Sequence, residues 1–394
     1  MGLSPPHSEI LVSYVPAVVA NRLAEHPFPI EAPQADTALC ACLSLDIAGF
    51  TPLAERLAHR GAAGAEQMAE ILNGAFGPLV AVCEEYGGEI MEFEGDALLA
   101  VWRTTTEEGL GEAATTATAC GLALQETATE RRTRTDVALS MKVVVAAGSL
   151  RIFYLGGVDG RRQCLASGPP IAELGELEHR ALPDGVLVSA RVAALLASGY
   201  EGTRGTGGGA ATVHSLRSPP RPRPVDRRQV PPRAWPALLE YAPSRLDPEL
   251  IGSPEAWLAE FRRATSVFVN LIGLEHDEPG ELERLDASVR AVQQIVGHYE
   301  GSLEKLLEGA KGTVLLIAFG LPPGVHEDDP TRAARAALEI EEALGAHDLR
   351  TAIGITTGVV FAGPVGGPSR RDLTIVGDVV NVAARLMQGA EDDI

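Results

Sequence analysis

The chain is poor in basic residues, in aromatic residues and in cysteine, and it has no long apolar run. Against 53 acidic side chains stand 33 Lys and Arg, for a formal net charge of −20. A nucleic-acid binder needs clustered cations to displace counterions from a phosphate backbone, so that class is excluded. A site for a polyanionic substrate would have to bring its own local cations or metals. The five cysteines (Cys40, Cys42, Cys83, Cys120, Cys164) are odd in number and contain no CxxC pair. They make neither a disulfide framework nor a zinc site, and read as free buried thiols in a reducing compartment. No stretch reaches the ~18 apolar residues that a bilayer span needs, and the N-terminus lacks the charged-then-apolar pattern of a signal peptide. The expectation is a cytoplasmic protein without membrane insertion.

What is present is a globular composition of 394 residues, 45% apolar and 22% charged, long enough for two domains. Residues 1–35 read as an arm packed on the domain that follows. In residues 36–217 a strand over Ala38–Leu45 leads to the turn Asp46–Ile47–Ala48–Gly49–Phe50–Thr51. Met68, Ile71, Leu72, Ala75, Phe76, Leu79 and Val80 then recur at helical spacing. Pro78 inside that pattern predicts a kink or a break. Gly87–Gly88 stops the helix before two short strands, Glu89–Phe93 and Ala97–Trp102, joined through Glu94–Gly95–Asp96. A helix near 110–130 and a strand over Met141–Ala147 follow. Residues 218–260 begin with a segment dense in proline and arginine, an extended linker lying on the protein's own surface.

Residues 261–394 then repeat the first domain in the same order. Ser266–Leu271 restates the strand at Leu43, and Leu285, Val289, Val292, Ile295 and Val296 restate the Met68 helix. Tyr299–Glu300–Gly301 restates Tyr86–Gly87–Gly88, Leu315–Phe319 restates Leu98–Trp102, and Ala352–Gly358 restates Lys142–Gly148. Such self-similarity is duplication, and it predicts a pseudo-twofold pair of α/β modules with sites at the shared interface.

Asp46 at a strand end and Asp96 at a hairpin tip can converge on Mg²⁺, which takes few protein oxygens and leaves room for phosphates. Two such ions would clamp the attacking and leaving oxygens of a phosphoryl transfer. The amides from Ile47 to Phe50, Gly49 among them, could hold phosphate oxygens. Taken alone, either aspartate is as readily a turn former. The motifs LDIAGFT (45–51), EYGG (85–88), EFEGDALLAVW (92–102), KVVVAAG (142–148) and TIVGDVVNVAARL (374–386) together resemble the class III nucleotidyl cyclases. Within them the likeness is to the soluble adenylyl cyclase group with tandem catalytic domains, over roughly residues 36–217 and 261–394.

The resemblance implies ferredoxin-like α+β modules and one interface site using two Mg²⁺ or Mn²⁺ ions. Asp46 and Asp96, with Ile47, match the metal-binding positions, and Lys142 a phosphate-binding lysine. Lys305 and Thr374 match the residues that read the adenine edge. Asn381 and Arg385 match the pair that orients the ribose and stabilises the transition state. The two aligned copies have lost complementary halves: Leu165, Ala172 and Glu176 stand where the second copy has Thr374, Asn381 and Arg385, and Asn270 replaces Asp46. The implied activity is ATP to cyclic AMP and pyrophosphate. A guanylyl cyclase, which typically carries Glu and Cys at the Lys305 and Thr374 positions, is the alternative. An inactive nucleotide-sensing module is another. Members of the group bind bicarbonate through a Lys and an Arg of the first domain; Glu92 and Gly175 occupy those positions here, so bicarbonate stimulation is expected to be weak or lost. The family's domain continues past the Arg385 helix with further strands, so the second domain is expected to be incomplete as it stands.

Overall fold

The computed structural model describes residues 5–132, 140–205, 209–224, 229–246, 259–274, 278–309 and 312–390. Helices α1 (Pro5–Ser13) and α2 (Ala17–Glu25) precede the first module. Its elements are β1 (Gln34–Ala48), α3 (Phe50–Ala58), α4 (Gly61–Glu85), β2 (Glu89–Glu94), β3 (Ala97–Thr104), α5 (Glu107–Arg132), β4 (Ser140–Val158), β5 (Arg161–Ser167) and α6 (Pro169–Glu178). It closes with β6 (Val186–Val188), α7 (Ala190–Leu196), β7 (Tyr200–Arg204) and β8 (Ala211–Leu216). After α8 (Trp235–Leu239) come β9 (Glu260–Ile272), α9 (Glu281–His298), β10 (Ser302–Gly309), β11 (Gly312–Phe319), α10 (Asp329–Gly345), β12 (Arg350–Gly366), β13 (Arg371–Val376) and α11 (Asp378–Gly389).

One long strand is the axis of each sheet. β1 lies between β3 and β4, antiparallel to both, and β9 lies in the same way between β11 and β12. Cys40 to Leu45 of β1 are all buried because the strand is covered on both faces. On one face Leu43 and Leu45 meet Met68, Leu72 and Phe76 of α4; on the other Cys40 and Cys42 meet the N-terminal helices and the linker helix α8. The sheet orders are β2-β3-β1-β4-β6-β8-β7, with β5 on β4, and β10-β11-β9-β12-β13. β6, which pairs parallel to β4, has no counterpart among the described residues of the second sheet.

The duplication extends to irregularities. β2 slips register between Ile90 and Glu92, and β10 slips at the matching place, between Leu303 and Lys305. A Cβ on Gly88 would come within 2.7 Å of the Trp102 ring, and one on the matching Gly301 within 2.5 Å of the Phe319 ring. The modules grip each other reciprocally. The β4–β5 turn reaches α9, where Gly156 N–H donates to Asp286 Oδ1 at 2.7 Å. The β12–β13 turn reaches α4, where Ser369 Oγ donates to Glu84 at 2.7 Å.

Two local expectations are corrected. α4 runs unbroken through Pro78: the proline removes one bond to the Gly74 carbonyl, but Phe76, Leu79 and Val80 hold the turn in the core. Asp46 lies within β1 and not in a turn, because Asp46 to Ala48 continue the ladder opposite Lys142 to Ser140. The described part of the proline-arginine linker packs against the protein. Arg162 pairs with Glu240 at 2.7 Å, and Arg245 reaches the second module through Glu304 at 2.9 Å. Linker residues 225–228 and 247–258, and Ala310 and Lys311 of the β10–β11 hairpin, lie outside the described residues.

Candidate active site

Ladder register sets the acidic side of the site. Asp46 sits opposite Ala97 on one edge of β1 and Lys142 on the other. Ile47 N–H donates to Asp96 O at 3.0 Å, tying the β2–β3 tip to the end of β1. The tip turns through Gly95 at φ +67°, a left-handed conformation that glycine adopts without strain. Burial raises the pKa of Asp46 against the pull of Lys142. Burial, then the charge of Asp46, lifts Asp96 to about 6. The Asp46 charge acting on Asp96 marks two neighbouring carboxylates, with Lys142 as the counter-charge on the Asp46 side. A third acid stands nearby. Glu178, at the end of α6, accepts from Ser44 Oγ at 2.5 Å, and burial with the Asp46 charge raises its pKa against that bond. No motif singled out Glu178; only the fold brings it to Ser44.

The expectation for the amides after Asp46 is corrected for Ile47, whose N–H is committed to Asp96. Gly49, at φ +120°, turns the chain into α3, whose first amides lack intrahelical partners. Phe50 anchors that turn, buried against Phe76 with ring centroids 5.9 Å apart.

Side chains of the second module face this region across the interface. A cleft of about 170 Å³ is lined by Thr51, Glu94 and Asp96 of the first module and by Lys305, Thr374 and Asn381 of the second. Asn381 Nδ2 donates to Thr51 Oγ1 at 3.0 Å, a direct bond between the modules. Thr51 belongs to the LDIAGFT motif, so the sequence held a signal for it. Lys305 Nζ donates to Asp372 Oδ2, and burial, then Arg370, lowers its pKa to about 8. Arg385 is placed differently. Its side chain is 70% exposed, 4.0 Å from Asp378, and does not line the cleft. Lys142 and Asp46 do not line it either; Lys142 faces Asp46 across the β1–β4 ladder, and Asp46 adjoins the cleft through Asp96.

The mirror positions are chemically different. Asn270 stands in the Asp46 position with Ala352 in place of Lys142, and among the described residues its buried Oδ1 has no hydrogen-bond partner. Leu165 is buried at the Thr374 position. Glu92, at the Lys305 position, faces a separate interface cavity of about 230 Å³ that Lys305 and Arg370 also line. Among the described residues no group of three or more His, Cys, Asp or Glu is arranged to hold a metal. Asp46 and Asp96 do fit an ion that takes one or two carboxylates and completes its shell with phosphate and water. No described helix is long and apolar enough to cross a membrane.

The adenylate and guanylate cyclase catalytic domain family matches residues 33–208, the first module with its strand-end and hairpin aspartates. The first module is thus similar to the class III nucleotidyl cyclase catalytic domain. Rat adenylate cyclase type 10 is 28% identical over 379 residues, a length that takes in the second module of this chain as well. The human protein of that name is 27% identical over 375 residues. Each of those alignments covers 87% of this chain, and the chain spans 23% of each relative. A class III adenylyl cyclase-like ATP-binding protein from Pseudomonas aeruginosa shares the fold of both modules, with a TM-score of 0.64 at 11% identity over 95% of this chain and 89% of that one.

Proposed function

We propose that this chain is a cyclase that converts ATP to cyclic AMP and pyrophosphate in the cytoplasm, at one composite site between its modules. The reading is carried by the cleft where Asp96 of the first module meets Lys305, Thr374 and Asn381 of the second. Asp46 and Asp96 would hold Mg²⁺ or Mn²⁺, with the Ile47 carbonyl as a further oxygen. Bound there, the two ions would lower the pKa of the ribose 3′-hydroxyl and neutralise the triphosphate.

The remaining work falls to the chain's own groups. Lys142 and the amides of Gly49 and Phe50 would meet the triphosphate oxygens. Lys305 would donate to adenine N1 and the Thr374 hydroxyl would accept from the 6-amino group, and Asn381, released from Thr51, would orient the ribose. The 3′-oxygen then attacks the α-phosphorus in line, and pyrophosphate leaves from the opposite side. Asp46 can take the hydroxyl proton. Arg385 would swing from Asp378 toward the cleft and stabilise charge on the phosphoryl oxygens, a contribution that counts only where it is stronger in the transition state.

The outward Arg385 specifically favours one other reading, nucleotide binding without turnover. Supplying ATP or GTP with Mn²⁺ and assaying both cyclic products separates the possibilities. Faster turnover of GTP makes this a guanylyl cyclase. Tight ATP binding with no cyclic product makes it a sensing module.

A further inference from the structure

We propose that Glu178 is a positioning residue of the divalent-ion site: tethered by Ser44, its carboxylate stands beside Asp46 and Asp96 and steadies the ion through metal-bound water. The inference rests on the two-aspartate metal reading above. Side chains alternate along β1, so Ser44 and Asp46 project from one face of the strand, their Cα atoms about 7 Å apart. α6 packs on that face through Leu174 and Leu177. There the Ser44 hydroxyl donates to Glu178 Oε1 at 2.5 Å. Among the described residues Glu178 Oε2 takes no hydrogen bond.

The charges are close enough to act on one another. Asp46 is among the causes that raise Glu178, Glu178 is among those that raise Asp96, and Lys142 pulls on Asp46 and Glu178 alike. Fully ionised, these three carboxylates against one ammonium leave two negative charges unbalanced, the charge of one divalent cation. His179, the other cation near Glu178, is exposed and charged only when protonated. Glu94 is lifted to about 7 by burial and then by Glu178, with Lys305 as its own counter-charge. Glu178 is not a third direct ligand, since among the described residues no three such groups are placed to hold an ion together. Its effect runs through water on the ion, where carboxylates beyond the ligands orient and tune a metal site.

The mirror positions show that the fold does not require this polar set. By the correspondence that places Asn270 at Asp46 and Arg385 at Glu176, Phe268 stands at Ser44 and Met387 at Glu178. Phe268 and Met387 share one apolar cluster with Ala352, the counterpart of Lys142. The equivalent helix, α11, thus docks on β9 and β12 by apolar contact at this point. A part-buried carboxylate costs free energy that a methionine avoids. That cost falls only on the module whose strand end and hairpin tip carry aspartates.

The test is titration of the metal-stripped whole chain with Mn²⁺ alone, free ion being read from its electron paramagnetic resonance signal and thermal midpoints recorded alongside. Glu178→Gln keeps an acceptor for Ser44 and removes only the charge. It should weaken the Mn²⁺ binding that depends on Asp96 roughly tenfold, without lowering the metal-free midpoint. Glu176→Gln makes the same change in net charge at an exposed position of the same helix and should leave that binding unchanged. Ser44→Ala frees the carboxylate and should lose part of the affinity, but nothing further in a Glu178→Gln background, which a merely structural role would not produce. If Glu178→Gln does not fold, Glu178→Met, with the residue type of the mirror helix, takes its place. Unchanged Mn²⁺ affinity in the Glu178 variant, an equal loss in Glu176→Gln, or an undiminished Ser44→Ala effect without the carboxylate overturns the proposal while leaving the two-aspartate site intact. A wild type with no Mn²⁺ binding that Asp96→Ala removes overturns both.

Discussion

The two modules share one fold down to a register slip and a glycine pressed against an aromatic ring, yet at matching positions their polar residues are unlike. At the end of β1 an aspartate faces a lysine, Asp46 opposite Lys142; at the matching place on β9, Asn270 faces Ala352. On the strand after each helix, Glu92 of the first module corresponds to Lys305 of the second, and on β5 and β13 Leu165 corresponds to Thr374. Packing requirements act on both copies equally because each must bury its own sheet. Site chemistry acts only where a substrate is met. A pair that meets one nucleotide can lose the second set of polar groups without cost to either core.

The sharpest way to break the comparison is at the hairpin tips. Asp96→Ala should reduce turnover on the order of a thousandfold, whereas Glu308→Ala on the other hairpin should leave it unchanged, as steady-state assays with Mn²⁺ would show. Equal losses would mean two working sites. A packing test should instead treat the modules alike. Gly88→Ala and Gly301→Ala each push a methyl into a ring, and denaturant melts should record about 1–3 kcal/mol of destabilisation for each.

A smaller effect concerns pH in metal-free protein. The Asp96 pKa is raised to about 6 from the ordinary aspartate value of 3.8, so the folded state binds the proton more tightly than the unfolded chain. Its contribution is therefore full below the unfolded value and is lost as pH rises through about 6. Asp96→Asn should flatten the fall in melting temperature over that window. The smallest expected effect is none: bicarbonate added at fixed pH should leave turnover unchanged, because the mirror side presents Glu92 and Gly175 in place of cations. A clear rise would show that the mirror site still works.

Much of this was legible in the sequence because duplication prints every element twice. The strand and helix periodicities, the hairpin carrying Asp96 and the correspondence of Glu92 with Lys305 all follow from aligning the halves. What escaped depends on three-dimensional closure. Pro78 looks like a break until the core residues around it are seen to hold the turn. Glu178 lies in an ordinary helical run and reaches Ser44 only because α6 crosses the sheet. Asp372 sits two residues before Thr374, yet nothing in that spacing tells that it grips Lys305 from another strand. Arg385, one turn beyond Asn381, shares its helix but not its cleft, since side-chain direction is not fixed by spacing alone.

The central claim is one nucleotide site per chain, built from both modules, and calorimetric titration with a non-hydrolysable ATP analogue and Mn²⁺ tests it most directly. The account predicts a stoichiometry of one, with affinity lost both in Asp96→Ala, from the first module, and in Lys305→Ala, from the second. Two nucleotides per chain, or a single site indifferent to one of those changes, would contradict it.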